Sequence, residues 1–260
     1  MARRRFYVPP ESITGPSAVL PEEQAHHLRD VLRLGAGETV EIFDGTGRGW
    51  AGEVTFGGFR VLVCGLRPLA AQESGVPVIL AAALIKPARF EWMIEKATEL
   101  GVGEVLPLKT RFGDVRIPGD KIGDRLGRWD RIAREASRQC GRMDAPRIHP
   151  PIDFDRLLDS DGVRGRGCVL FHEKAAEVWN PDPALPAAGV LLCVGPEGGW
   201  ADRETEAARA AGFEVRGLGT RILRAETAAV AALAILQHRI SGAGGDVSGP
   251  RGPLTSAGKS

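Results

Sequence analysis

Two segments near the C-terminus hold the residues best suited to chemistry. Val194-Gly195-Pro196-Glu197-Gly198-Gly199-Trp200 follows an apolar run over 190–193. Leu218-Gly219-Thr220-Arg221-Ile222-Leu223-Arg224-Ala225-Glu226-Thr227-Ala228-Ala229 opens an Ala-rich helix. Each joins an expected strand to an expected helix through glycine and small residues. Such junctions let backbone approach a ligand closely and aim N–H groups at it. Two of them, separated by a single helix, point to one pocket built from consecutive strand–helix loops. Pro196 restricts its neighbour to extended geometry, and the glycines permit positive φ. Asp202 is expected to cap the next helix, with Glu204 and Glu206 in its first turn. Three acids (Glu197, Glu204, Glu206) suit a neutral or cationic ligand better than a triphosphate, and neither a P-loop ending nor GxGxxG is present. The first loop also reads as a tight turn without a ligand. In the second, Glu226 also reads as a complement to the helix dipole, and Arg221 and Arg224 as solvated.

A third feature is a long helix expected over 122–142. At about 100° per residue, Ile122, Leu126, Trp129, Ala133, Ala136 and Cys140 share one side. Arg128, Arg131, Arg134, Arg138 and Arg142 share the other. Residues 111–147 hold ten basic and six acidic side chains, +4 in a chain whose formal charge is only +1. Charge on a helix usually means a solvated face; an arginine stripe with few paired acids fits a phosphate-contacting surface better. The five histidines (His26, His27, His149, His172, His238) have no metal-ligand spacing, so no metal is expected. GxSxG and HExxH are absent, which removes support for hydrolysis.

Composition sets the frame. Hydrophobic residues make up 43% and charged residues 26% of 260, as in an ordinary globular protein of one or two domains. With so small a net charge, nucleic-acid binding must rest on local clusters. The basic start, Met1–Phe6, has no apolar segment behind it, and no stretch reaches the length of a membrane span. A cytoplasmic protein without membrane contact is expected. Cys64, Cys140, Cys168 and Cys193 form no CxxC pair and read as buried thiols.

These residues need elements to place them. Residues 6–66 look β-rich: strands are expected at 40–43, 49–56 and 60–66, with a helix over Pro21–Leu34 stopped by Gly35. A small β-barrel with one helix fits. Residues 69–77 read as a linker. From Val78 the pattern alternates. Strands are expected at 78–84, 102–108, 168–171, 190–194 and 213–218, with helices near 90–100, over 122–142 and over 226–240. This is an α/β domain with a mainly parallel sheet. After Ser241 the composition is that of a disordered tail.

The chain resembles the RsmE family of the SPOUT superfamily over nearly its whole length, to about Ile240. The likeness is carried by Arg5-Phe6-Tyr7-Val8, Arg29-Asp30-Val31-Leu32-Arg33 and Phe43-Asp44-Gly45. It continues in Glu91 with Lys96–Val102, and in Glu135-Ala136 with Gln139–Arg142. Gly195–Gly199, Arg221–Arg224 and Glu226-Thr227-Ala228 complete it. Thr220 stands where the family commonly has Pro, and Ala225 where it commonly has Thr. The resemblance implies an S-adenosylmethionine-dependent methyltransferase acting on N3 of a uridine in 16S ribosomal RNA within the small ribosomal subunit. It also implies a PUA-like RNA-binding β-barrel (1–72), a SPOUT methyltransferase domain with a trefoil-knotted parallel sheet and helices on both faces (73–241), and homodimerisation. The cofactor-binding residues it implies are Leu170, Gly195, Pro196, Glu197, Gly198, Gly199, Leu218, Gly219, Ile222, Leu223 and Thr227. Arg224 is expected to stabilise charge on the base, with Glu226 orienting it or assisting proton removal. The RNA-binding set is Arg4, Arg29, Arg33, Arg111, Arg131, Arg134, Arg138 and Arg142, with the neighbours Arg3 and Arg5. The rival reading is a non-catalytic RNA-binding assembly factor, which would need no cofactor loops.

Overall fold

Hydrophobic patterning changes midway along the chain, and the computed structural model has a separate sheet on either side of the change. The structure describes residues 4–70, 75–182 and 184–243. The expected boundary after residue 72 lies outside the described residues. So does the expected tail, apart from residues 242 and 243, which are helical.

The first sheet contains β1 (Arg5–Tyr7), β2 (Ile13–Thr14), β3 (Ser17–Val19), β4 (Thr39–Phe43), β5 (Gly49–Gly57) and β6 (Arg60–Pro68). Their order is β1-β4-β5-β6-β3-β2, antiparallel except for the parallel β1–β4 pair. Phe6, Val40, Ile42, Val54, Val61 and Val63 alternate into one core. No ladder joins β1 to β2 among the described residues, so the expected barrel is by its hydrogen bonds an open sheet. The helix expected over 21–34 is shorter. It comprises α1 (Glu22–His26) and a π-helical turn, His27–Val31, in which Leu32 N donates to His27 O at 3.0 Å. Arg33 then turns the chain at φ +53°, before Gly35 is reached.

The second sheet contains β7 (Val78–Ala83), β8 (Glu104–Lys109), β9 (Arg147–Ile148), β10 (Ile152–Asp153), β11 (Gly167–Phe171), β12 (Val190–Val194) and β13 (Glu214–Arg216). All pairs are parallel, in the order β10-β8-β7-β12-β11-β13, and β9 also pairs with β8. The short β9 and β10 lie outside the expected strands. Helices α2 (Pro87–Glu99), α3 (Ile122–Cys140) and α6 (Ala225–Ala243) cover one face, and α4 (Phe154–Leu158) and α5 (Asp202–Ala210) the other. Every residue of β7 and β12 is buried. Val78, Leu80 and Ala82 face the first layer of helices, while Ile79 and Ala81 face the second. Continuous apolar runs are what burial on both faces requires.

Arg5 joins the first sheet to the end of α3, and Arg142 joins the ends of α3 and α2. Arg5, 1% exposed, donates from Nε to Glu41 Oε2 at 2.9 Å and from its Nη1 to the carbonyl of Gly141. Gly141 ends α3 in the left-handed region, φ +89°, where a side chain would be strained. Arg142 donates to the carbonyls of Thr98 and Val102 at 2.8 and 2.9 Å, around the C-terminus of α2. Helix ends leave carbonyls without partners, and guanidinium groups satisfy them here. These two arginines are thus structural, and the phosphate contacts expected of them are corrected: their donors are already engaged inside the fold.

The cysteines are not uniformly buried. Cys168 and Cys193 are buried, Cys64 is half-buried and Cys140 is exposed at the end of α3. Burial pushes the Cys168 thiol up to about 11, and Cys193 is likewise raised by burial. A thiol raised in the folded state keeps its full stabilising contribution below the unfolded value near 9.0, and loses it as pH climbs towards about 11. Iodoacetamide at pH 8 should therefore label Cys140 first and leave Cys168 and Cys193 unmodified until denaturant is added. Mass mapping that found Cys193 modified in the folded protein would contradict this packing.

Candidate active site

Strands β11, β12 and β13 all run the same way, so their C-terminal ends meet along one edge with the start of α6. There a cleft encloses about 70 Å³, or about 520 Å³ counted out to its open mouth. Phe171, His172 and Glu173 come from the end of β11, Val194, Gly195 and Pro196 from β12, and Gly199 and Trp200 from the loop beyond. Leu218, Gly219, Arg221 and Leu223 close the opposite side, and Ala225 and Ala228 form the helical wall. The lining combines apolar surface, turning backbone, the Glu173 carboxylate, His172 and Arg221.

Packing sets the loop after β12. Trp200, 5% exposed, donates from Nε1 to Phe171 O at 2.9 Å and lies 4.8 Å from the Phe154 ring. A Cβ on Gly195 would stand 2.8 Å from Trp200 Nε1, and one on Gly198 would meet Phe112 Cβ at 3.0 Å. Those two glycines admit neighbouring protein atoms. Gly199 is different: its φ is +72°, and a Cβ there would lie 3.3 Å from Glu173 Oε1 at the cleft. Beyond the loop, the residue capping α5 is Ala201 rather than Asp202. Glu204 supplies the cap by accepting from Ala201 N at 3.0 Å, and its other oxygen accepts from Arg111 N at 2.9 Å. Glu204 therefore fastens the 111 turn to α5 and does not face the cleft, while Glu206 is exposed.

Of the residues implied for the cofactor, Gly195, Pro196, Gly199, Leu218, Gly219 and Leu223 line the cleft. Gly198 and Glu197 stand just outside it. Ile222 is 83% exposed and Thr227 is exposed. Leu170 is corrected: it is fully buried in the layer facing α4 and α5, because alternation along β11 turns it away from the cleft that Phe171 lines. Arg224 is exposed beside the cleft and makes no ion pair among the described residues. Glu226 does not orient it. Glu226 Oε1 instead lies 3.6 Å from Nε of Arg89, whose Nη1 also binds Glu197. Glu226 Oε2 is buried without a hydrogen-bond partner.

Arg89, Glu173 and Phe171 were not singled out from sequence. Arg89 lies just beyond Lys86-Pro87, where β7 passes into α2. That is a further strand–helix junction on the same edge, and Pro at the first helical position marks it.

The arginine stripe is largely paired. Arg125 and Arg128 hold Glu91, and the Arg128 guanidinium keeps that carboxyl below the usual range. Arg138 pairs with Glu135, and Arg4 with Glu38. Arg134 sits 5.1 Å over the Tyr7 ring, and Arg131 is exposed. Both border a cleft of about 830 Å³ between the two sheets, with Tyr7, Gln24 and Lys96. Arg29, Arg33 and Arg111 are at least partly exposed and make no ion pair among the described residues; Arg3 lies outside them.

This fold and edge-on cleft are those of an RNA-modifying class. The model of the RNA methyltransferase domain family matches residues 72–237, and that of the RNA methyltransferase PUA domain matches 20–60. The chain is 35% identical over 241 residues to ribosomal RNA small subunit methyltransferase E of Synechocystis, covering 88% of this chain and 76% of that one. Against the Mycobacterium bovis protein of the same name it is 32% identical, with 90% of each covered. A Legionella pneumophila putative methyltransferase, solved with bound SAM, superposes with a TM-score of 0.82 at 31% identity, covering 92% of this chain and 98% of that one. The Neisseria gonorrhoeae methyltransferase E, solved with S-adenosyl methionine, gives 0.79 at 30%, covering 91% and 97%. The chain belongs to the ribosomal RNA small subunit methyltransferase E family.

Gly195→Ala should force Trp200 off the Phe171 carbonyl and lower stability by about 1–3 kcal/mol. Urea unfolding and tryptophan fluorescence would read both effects. A variant with parental stability and emission would show that this close approach is not needed.

Proposed function

We propose that this protein transfers a methyl group from S-adenosylmethionine to N3 of a uridine in 16S ribosomal RNA, in the cytoplasm, as part of small-subunit maturation. The observation that carries the reading is the cleft itself. Two glycine-turned loops and the end of β11 converge at one edge of a parallel sheet, with apolar walls, the Glu173 carboxylate on one side and Arg221 on the other. Phe171, Val194 and Ala228 suit a flat apolar ring, and Glu173 suits a cationic ligand. Gly195, Pro196, Gly199, Leu218, Gly219 and Leu223 would hold the cofactor through backbone, and when bound it supplies an electrophilic methyl group. A non-catalytic RNA-binding factor would have no use for this cleft.

Positioning N3 against that methyl group provides much of the acceleration expected for an in-line displacement. The N3 proton must leave, and negative charge then spreads over O2 and O4. Arg224, uncommitted to any ion pair among the described residues, neutralises that charge. Glu226 has one oxygen near Arg89 and one free, which fits it to accept a proton or a hydrogen bond. We place the RNA-binding domain at 1–72 and the SPOUT domain at 73–241. We also propose a deep trefoil knot in the second domain, in which α6 leaves the β13 edge and returns to pack on the central β7 and β12. Homodimerisation is part of the same reading. It does not use Ala229, Ala232, Leu233 and Leu236, which are fully buried within one chain, and falls instead to the outer face of α6 around Ile235. Light scattering should return twice the chain mass. No described helix is long and apolar enough to cross a membrane.

The deciding experiment is a calorimetric titration with S-adenosylmethionine, with and without RNA, followed by single-turnover methylation. Arg224→Ala should keep cofactor affinity and folding near parental values and slow methyl transfer by about 10²–10³-fold, as for loss of one preorganised donor. Arg224→Lys should restore only part, because a point charge does not reproduce the planar fork. A parental rate in Arg224→Ala would remove this role and shift attention to Arg221.

A further inference from the structure

The most exposed apolar surface of the first domain lies away from the cleft and is not explained by methyl transfer. Phe59, at the tip of the β5–β6 hairpin, is 97% exposed, and Phe56 on the same hairpin is 40% exposed. Val31 and Leu32, at the end of the π-helical turn, are 60% and 39% exposed. Arg29 Nη1 donates to Phe59 O at 3.2 Å, so the turn and the hairpin tip form one surface. Arg33, beside them, is the sole non-glycine residue at positive φ among the described residues. Widened helical turns and left-handed side-chain-bearing residues are retained where a site needs them. Arg29, Arg33 and Arg60 make no ion pair among the described residues, and Asp30, the acid within the turn, lies 2.6 Å from His26 Nδ1.

An aromatic ring held in water among unpaired arginines matches unpaired nucleic acid. The ring offers a face to any base, and the cations meet the phosphates on either side. We propose that this surface binds single-stranded RNA, with one unstacked base on the Phe59 ring and flanking phosphates against Arg29, Arg33 and Arg60. The proposal rests on the RNA half of the function above and adds the contact that holds the strand. Because Phe59 is almost entirely in solvent, its replacement leaves the core intact.

The test uses the full chain, a fluorescent uridine-rich single-stranded oligonucleotide and the same sequence in a duplex. Phe59→Ser should weaken single-strand binding by about 5- to 150-fold, the span for losing one stacked base. Duplex binding, S-adenosylmethionine affinity and the melting temperature should stay parental. Phe59→Trp should keep the affinity, and its added fluorescence should be quenched by the strand. Arg33→Gln should reduce the salt slope by roughly one unit. Parental single-strand binding by Phe59→Ser overturns the proposal, and so does an equal loss on duplex. Loss of ribosomal-protein or vesicle binding with RNA binding untouched assigns the patch to another partner and equally overturns it. A parental protein that binds RNA through Phe59 but transfers no methyl group sinks the functional reading alone. Efficient methylation with parental RNA affinity in Phe59→Ser sinks this one alone.

Discussion

Burial of β7 and β12 on both faces is the constraint from which the rest follows. A strand covered by helices on either side has no room for an unpaired polar side chain, since burying a polar group without a hydrogen-bond partner is costly. Val78–Ala83 and Val190–Val194 accordingly hold no charged or hydrogen-bonding side chain except the Cys193 thiol. Polar chemistry is excluded from these two central strands and displaced to the strand ends and the outer strands. The parallel direction then puts those ends together, which is why Phe171, Val194 and Leu218 border one cleft although they are far apart in the chain.

Loops released from the sheet must still be held, and they are fastened by protein contacts more than by their own turn preferences. Trp200 ties the β12 loop to the end of β11. Glu204 ties the 111 turn to α5. Arg89 ties the first turn of α2 to Glu197 and, more loosely, to Glu226. One oxygen of Glu226 is left unsatisfied, as is Thr110 Oγ1 beside the 111 turn, and a buried acceptor without a partner is costly unless something else supplies a donor. That imbalance of Glu226 sits next to Ala225, which lines the cleft.

Charge tells a similar story. On paper the α3 arginines form an uninterrupted basic face, but each guanidinium brought near a carboxylate or a helix end is spent there. Arg128, Arg138 and Arg142 are committed to Glu91, Glu135 and the end of α2. Among the described residues, cations without ion pairs include Arg131 and Arg134 of α3 at the cleft between the sheets, Arg29, Arg33 and Arg60 on the first domain, and Arg111 and Arg224 near the active edge. Phosphate contact is therefore expected from several separate positions rather than from one stripe.

Local order was legible in the chain itself. The apolar runs marked β7, β11 and β12, the spacing of Trp129, Ala133 and Ala136 marked the buried face of α3, and the glycine junctions marked both cleft loops. Periodicity and turn chemistry act over a few residues, so sequence alone determines them. Family motifs added the activity class in the same way. What the tertiary structure decided was direction and partnership. It turned Leu170 inward and Phe171 towards the cleft, buried Arg5, committed Arg142 to a helix end, gave Glu226 to Arg89 instead of Arg224, and made Gly195 and Gly198 serve packing. Arg89 and Glu197 are distant in sequence, as are Arg5 and Gly141. Contacts of that kind depend on which surfaces meet after the sheet has formed, and no local pattern encodes them.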